Sequence, residues 1–150
     1  MRLRGSVALL LLLAPLLAGC NATPAERDPI AARLNDGVLE VTVCTAWPLT
    51  KVLVETRSAG FVSQAVTVWQ AEGSLRLSSG DVLSSTSPPA GLTASTWDEP
   101  HMAPADELFI TLTGENEQTL AVILAVPMEG FPRSDWLQAD GSVTESACTP

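Results

Sequence analysis

From Val38 onward apolar residues recur at every second position, and no stretch follows the period of about 3.6 that marks an amphipathic helix. Successive side chains of an extended strand point to opposite faces, so this alternation predicts strands that bury one face and wet the other. Leu39, Val41 and Val43 alternate with Glu40 and Thr42, and Val52 and Val54 mark a second strand within Lys51 to Thr56. In Ala65 to Gln70, Val66 and Val68 fall on one face and Thr67 and Trp69 on the other. Ser74 to Ser78 reads as a separate strand through Leu75 and Leu77, with Gly60, Gly73 and Gly80 as turn residues between strands.

Beyond the Ser84 to Gly91 stretch, with its adjacent Pro88 and Pro89, Leu92 to Trp97 is a further candidate strand. Leu108, Ile110 and Leu112 then alternate with Phe109, Thr111 and Thr113, ahead of a Gly114-Glu115-Asn116-Glu117 turn. Thr119 to Val126 is continuously apolar, the pattern of a central strand buried on both faces, and Pro127 stops it. Asp135 to Gln138 and Ser142 to Ala147 flank Ala139-Asp140-Gly141 as a closing hairpin. Ile30 to Leu34, before the Asn35-Asp36-Gly37 turn, is compatible with one helical turn or a short strand. Together these features predict an all-β domain of about seven to eight short antiparallel strands, an immunoglobulin-like β-sandwich, with a small β-barrel as the alternative. The likeness to immunoglobulin folds is one of architecture alone.

The N-terminus carries a different signal. Met1 to Ser6 holds Arg2 and Arg4 and no acid, and Val7 to Leu17 is an almost unbroken aliphatic run. That run has the length of a signal-peptide core and falls short of the roughly 20 apolar residues of a spanning helix. It closes on Leu17-Ala18-Gly19-Cys20, which resembles the lipobox of bacterial lipoproteins. The resemblance implies cleavage before Cys20, a diacylglyceryl group on the Cys20 sulfur and attachment to the membrane. It divides the chain into a signal peptide at 1–19, a lipidated tether at 20–36 and a β-sandwich domain at 37–150. The scarcity of lysine and abundance of alanine are similar to those of a high-GC organism such as an actinobacterium.

Removing residues 1–19 of the 150 leaves 131, enough for one domain with a single core. The 8 basic residues fall to 6 against 17 acids, and the net charge moves from −9 to −11. Such acidity opposes binding to nucleic acid and docking on anionic lipid headgroups, both of which require clustered cations. Arg27, Arg33, Lys51, Arg57, Arg76 and Arg133 are scattered, and none forms a phosphate cradle with its neighbours in sequence. With Cys20 lipidated, Cys44 and Cys148 form the one possible intramolecular pair, and an oxidising compartment lets a disulfide between them persist.

The segment Ser95 to Glu107 is the least ordinary in composition. Trp97, Asp98, Glu99, His101, Met102 and Asp106 are the candidate binding residues. A proline-stiffened loop with solvated acids accounts for them in structural terms. A metal site would draw on His101 and Met102 for copper or on the carboxylates for a hard cation, but the spacing matches no known ligand pattern. Trp97 offers an aromatic anchor for a protein or glycan. Trp69 and Trp136 are expected to fill the core, whereas Trp47 and Trp97 lie nearer turns.

The chain has no Walker loop, dinucleotide fingerprint, nucleophile elbow, His-Glu-x-x-His helix, Cys-x-x-Cys pair or internal repeat. The sequence therefore predicts a non-catalytic interaction or accessory module without cofactor. It is expected on the outer face of the cell membrane, anchored through Cys20, with an envelope protein or glycan as partner. The alternative is a metal- or small-ligand-binding lipoprotein that uses the Asp98–Glu107 loop.

Overall fold

The computed structural model describes residues 29–58 and 65–148. The signal segment, Cys20 and Gly60 lie outside the described residues. Among the described residues, ten strands form two five-stranded antiparallel sheets that are not closed into a barrel. Their ranges are β1 Ile30–Asn35, β2 Val38–Val43, β3 Trp47–Arg57, β4 Val66–Leu77, β5 Val82–Ser84, β6 Leu92–Trp97, β7 Glu107–Gly114, β8 Thr119–Ala125, β9 Trp136–Leu137 and β10 Val143–Thr144. One sheet has the order β10-β9-β1-β2-β5 and the other β6-β4-β3-β7-β8. The architecture is the β-sandwich, and the barrel alternative is set aside.

The core forms where the alternating faces of the two sheets meet. Ile30, Leu39, Val41, Val43, Leu83 and Leu137 come from the first sheet, and Val52, Val54, Trp69, Leu108, Ile110, Leu112 and Leu124 are among those from the second. Trp69 is fully buried in this core. Trp136 is also buried, but it is not part of the core cluster that includes its neighbour Leu137. Arg33 lies over its ring at 4.4 Å while donating from Nε to Glu40 at 2.6 Å and from a terminal nitrogen to the Ser134 carbonyl at 3.0 Å.

Several strands differ from the pattern expected of the sequence, each for a local reason. β1 lies within the stretch 20–36 expected as tether, and it pairs with β2 over its whole length, from Ile30↔Val43 to Asn35↔Val38. In β4 a bulge opposite Val54 and Glu55 sets Val68 and Trp69 side by side in sequence as buried residues, so they do not divide between faces. The stretch 74–78 is no separate strand. β4 runs through Gly73 without a turn, because Gly73 lies against the backbone of Gly91 at the start of β6. β5, within a stretch that gave no strand signal, is fixed by Ser85, whose N–H donates to the Leu39 carbonyl and whose Oγ accepts from the Leu39 N–H.

β8 is an edge strand, not a central one. Val122 and Leu124 face the core, while Ala121, Ile123 and Ala125 are exposed. A continuous apolar run has the same composition whether its second face is covered or left open, which explains the discrepancy.

Cys44 and Cys148 are disulfide-bonded, with Cα atoms 5.2 Å apart and 104 residues between them. The Cys44 N–H also donates to the Pro29 carbonyl at 2.8 Å. The incoming chain, the end of β2 and the C-terminal region therefore meet at one pole of the sandwich.

A Cβ at Gly73 would sit inside the contact distance of the Gly91 carbonyl oxygen, and one at Gly91 would lie 2.7 Å from the Ser74 carbonyl oxygen. Gly73→Ala must part the β4 and β6 backbones. It is expected to cost about 2–3 kcal/mol in urea unfolding, and a loss below about 0.5 kcal/mol would contradict the close approach. Replacing Cys44 and Cys148 together by Ala is expected to cost about 2–5 kcal/mol in the same assay, because the cross-link closes a long loop in the unfolded chain.

Candidate functional site

Among the described residues, three connections gather at the pole opposite the disulfide. The β1–β2 turn lies there because Asn35 and Val38 are the pair farthest from Cys44. Its central residues Asp36 and Gly37 adopt φ of 48° and 79°, the left-handed conformation of a tight hairpin. The β6–β7 loop crosses this turn. The Glu99 carboxylate would lie 3.0 Å from a Cβ at Gly37, so a glycine there serves both the turn and the passing side chain. The segment between β8 and β9 runs alongside, where the Leu34 N–H donates to the Pro132 carbonyl at 3.0 Å.

These elements enclose an open cleft of about 260 Å³ lined by Leu34, Asp36, Gly37, Glu99 and Arg133. Two carboxylates and one guanidinium thus surround an apolar side chain. Among the described residues, no ion pair engages Asp36, Glu99 or Arg133. The cleft can accept a polar or zwitterionic group, with Arg133 offering donors and the carboxylates accepting. Among the described residues its lining holds no Ser, Thr, Cys or His, and its ionisable groups are two carboxylates and a guanidinium.

The structure separates the candidate residues of the β6–β7 loop. Trp97 pairs with Trp69 across β6 and β4 and is half-buried against the core, so most of its ring is committed to packing. The Asp98 N–H donates to the Val68 carbonyl at 2.8 Å, which extends the β4–β6 ladder, and its side chain is exposed. Glu99 is the member of the set that reaches the cleft. His101 is exposed and Met102 is half-buried against the core.

Asp106 is buried, and its carboxylate accepts from the Ala103 N–H at 2.8 Å. Ala105, at φ 68°, donates to the Val126 carbonyl at 2.9 Å, and the Val126 N–H donates to the Asp106 carbonyl at 2.8 Å. The loop is therefore a folded turn tied to the end of β8. Asp106 shapes that turn from within, whereas the sequence reading grouped it with binding residues.

Among the described residues no three His, Cys, Asp or Glu side chains come together as a metal site. The loop acids and His101 have the composition of a ligand set without its convergence. At the opposite pole, the Ser142 hydroxyl and then its backbone N–H stabilise the ionised Asp140 carboxylate and hold its pKa below the ordinary value.

The cleft was hidden from sequence reasoning because its lining comes from three distant segments. Asp36 and Gly37 were legible as a turn, and Arg133 as one of several scattered cations. Nothing in their spacing linked them to Glu99. No known protein family matches the chain, and no curated protein or solved structure shows significant similarity to it.

Asp106→Ala leaves the Ala103 N–H without that acceptor and is expected to lower stability by about 1–2 kcal/mol. His101→Ala is expected to stay within about 0.5 kcal/mol of wild type. Equal effects of the two substitutions in thermal unfolding would contradict the assignment of Asp106 as the shaping residue.

Proposed function

We propose that this chain is a lipid-anchored, extracytoplasmic β-sandwich of the bacterial cell envelope, a non-catalytic module that binds a partner through the pole remote from its anchor. The single observation that carries this reading is the molecule's polarity. Pro29, where the described chain begins, is hydrogen-bonded to Cys44 beside the disulfide, while the cleft of Asp36, Glu99 and Arg133 lies at the other end of β1 and β2. A tether running from Cys20 to Pro29 would emerge beside the disulfide and leave the cleft pole facing away from the membrane.

The sequence supplies the anchor half of this reading, through the lipobox-like Leu17-Ala18-Gly19-Cys20, and the acidity that opposes nucleic acid as partner. The disulfide accords with an extracytoplasmic compartment. The open, mixed-charge cleft, with no hydroxyl, thiol or imidazole in its described lining, suits recognition of an envelope protein or glycan. Several acyl chains on one cysteine would give stable attachment, since one chain alone binds only marginally.

Cys20→Ala is expected to move the protein from the membrane fraction to the soluble fraction. Intact-mass measurement of the wild-type membrane fraction is expected to find a chain beginning at Cys20 with a lipid adduct. A soluble wild-type product, cleaved elsewhere and free of lipid, would overturn the anchor.

A further inference from the structure

β8 has an open hydrogen-bonding edge of unusual chemistry. The Gly114 N–H donates to the Gln118 carbonyl at 2.7 Å and the Val126 N–H to the Asp106 carbonyl at 2.8 Å, and the β7–β8 register is regular between them. These two bonds fix the phase of the ladder. Leu120, Val122 and Leu124 turn their backbone groups toward β7, and Thr119, Ala121, Ile123 and Ala125 turn theirs away. No described strand pairs on that side.

Natural edges are commonly blunted by charge, proline, bulges or brevity. The edges of the first sheet are short, at three residues in β5 and two in β10. β8 has seven residues, Thr-Leu-Ala-Val-Ile-Leu-Ala, with no charge, proline or register shift. Ile123 is 52% exposed and stands opposite Phe109 on the outer face.

The surroundings select the occupant by charge. Glu115 and Glu117 are exposed at the turn before β8, and Glu129 is exposed beyond its far end. Two cations of the same sheet face lie on β3 and have acidic neighbours away from the edge: Arg57 stacks on Phe109 at 4.5 Å and approaches Glu107 at 4.0 Å, and Lys51 pairs with Glu72 at 3.3 Å. An apolar edge with acid at both ends favours an apolar strand with basic ends. It disfavours a second copy of this acidic chain, whose β8 would place acid against acid in antiparallel pairing.

We propose that β8 is a strand-addition site that takes an extended apolar segment with basic flanks from a partner protein. The segment would bond to the free N–H and C=O groups of Ala121, Ile123 and Ala125 and place its alternate side chains beside Ile123. This surface is distinct from the cleft and does not depend on the lipid anchor.

Hydrogen exchange on the full chain tests the proposal, with a synthetic peptide of alternating valine and threonine bearing lysines at both ends as probe. The peptide is expected to slow exchange across Thr119–Ala125, and the same peptide ended with aspartates is expected to bind at least about tenfold more weakly. Ala121→Pro removes an N–H that β7 does not use, and Ile123→Lys places charge on the edge. Each is expected to weaken the lysine-ended peptide at least about tenfold while leaving the melting temperature near that of wild type. Should the proline variant fail to fold, Ile123→Lys alone decides. The proposal is overturned if no protection appears, if the aspartate-ended peptide binds equally well, or if folded Ile123→Lys binds like wild type. It is also overturned if the edge is protected without peptide in a sedimenting dimer.

Discussion

Cys44 follows directly on β2 and Cys148 lies at the C-terminal limit of the described chain, and the bond between them sets the polarity on which the functional reading depends. Its contribution to stability comes mainly from the unfolded chain, where it closes a loop spanning nearly the whole domain. Its architectural consequence is more specific. With the Pro29 carbonyl bonded to the Cys44 N–H, both ends of the described chain are gathered at one pole. The other pole is left to connections between strands, which can vary in sequence without loosening the sandwich.

The second constraint is burial by alternation. A strand of period two covers one face only, so the two sheets must meet to hide Leu39, Val41, Val54 and Ile110 from water. Deviations from strict alternation mark places where backbone geometry adapts to that packing. In β3 the register shifts between Leu49 and Lys51, which lets both Leu49 and Val52 remain buried. Beside this shift the Thr50 hydroxyl donates to the Thr113 and Gly114 carbonyls at 3.1 and 3.2 Å. In β4 the shift opposite Val54 and Glu55 delivers Trp69 to the core.

Fold class was legible from the sequence because alternation is a local signal. The expected strands around Leu39, Leu92 and Leu108 match β2, β6 and β7, and those around Val52 and Val143 overlap β3 and β10. What remained hidden depended on distant neighbours. Gly73 has the composition of a turn residue, and its role in letting β4 pass Gly91 is visible only when both strands are in place. The edge position of β8 depends on sheet order, which hydropathy does not encode. Similarly, Glu99 stood out beside Trp97 and Asp98, but its actual neighbours Asp36 and Arg133 are far away in sequence. The lipobox-like segment is a short linear signal, legible without any fold at all.

The functional proposal turns on how this polarity is oriented relative to a membrane. Paramagnetic relaxation of backbone amides would test it on the full chain held in a lipid nanodisc whose headgroups carry a gadolinium chelate. Broadening is predicted to be strongest at Cys44, Ser79 and Ala147, which cluster at the disulfide pole, and weakest at Asp36, Glu99 and Arg133. Uniform broadening, or stronger broadening at the cleft, would contradict the claim.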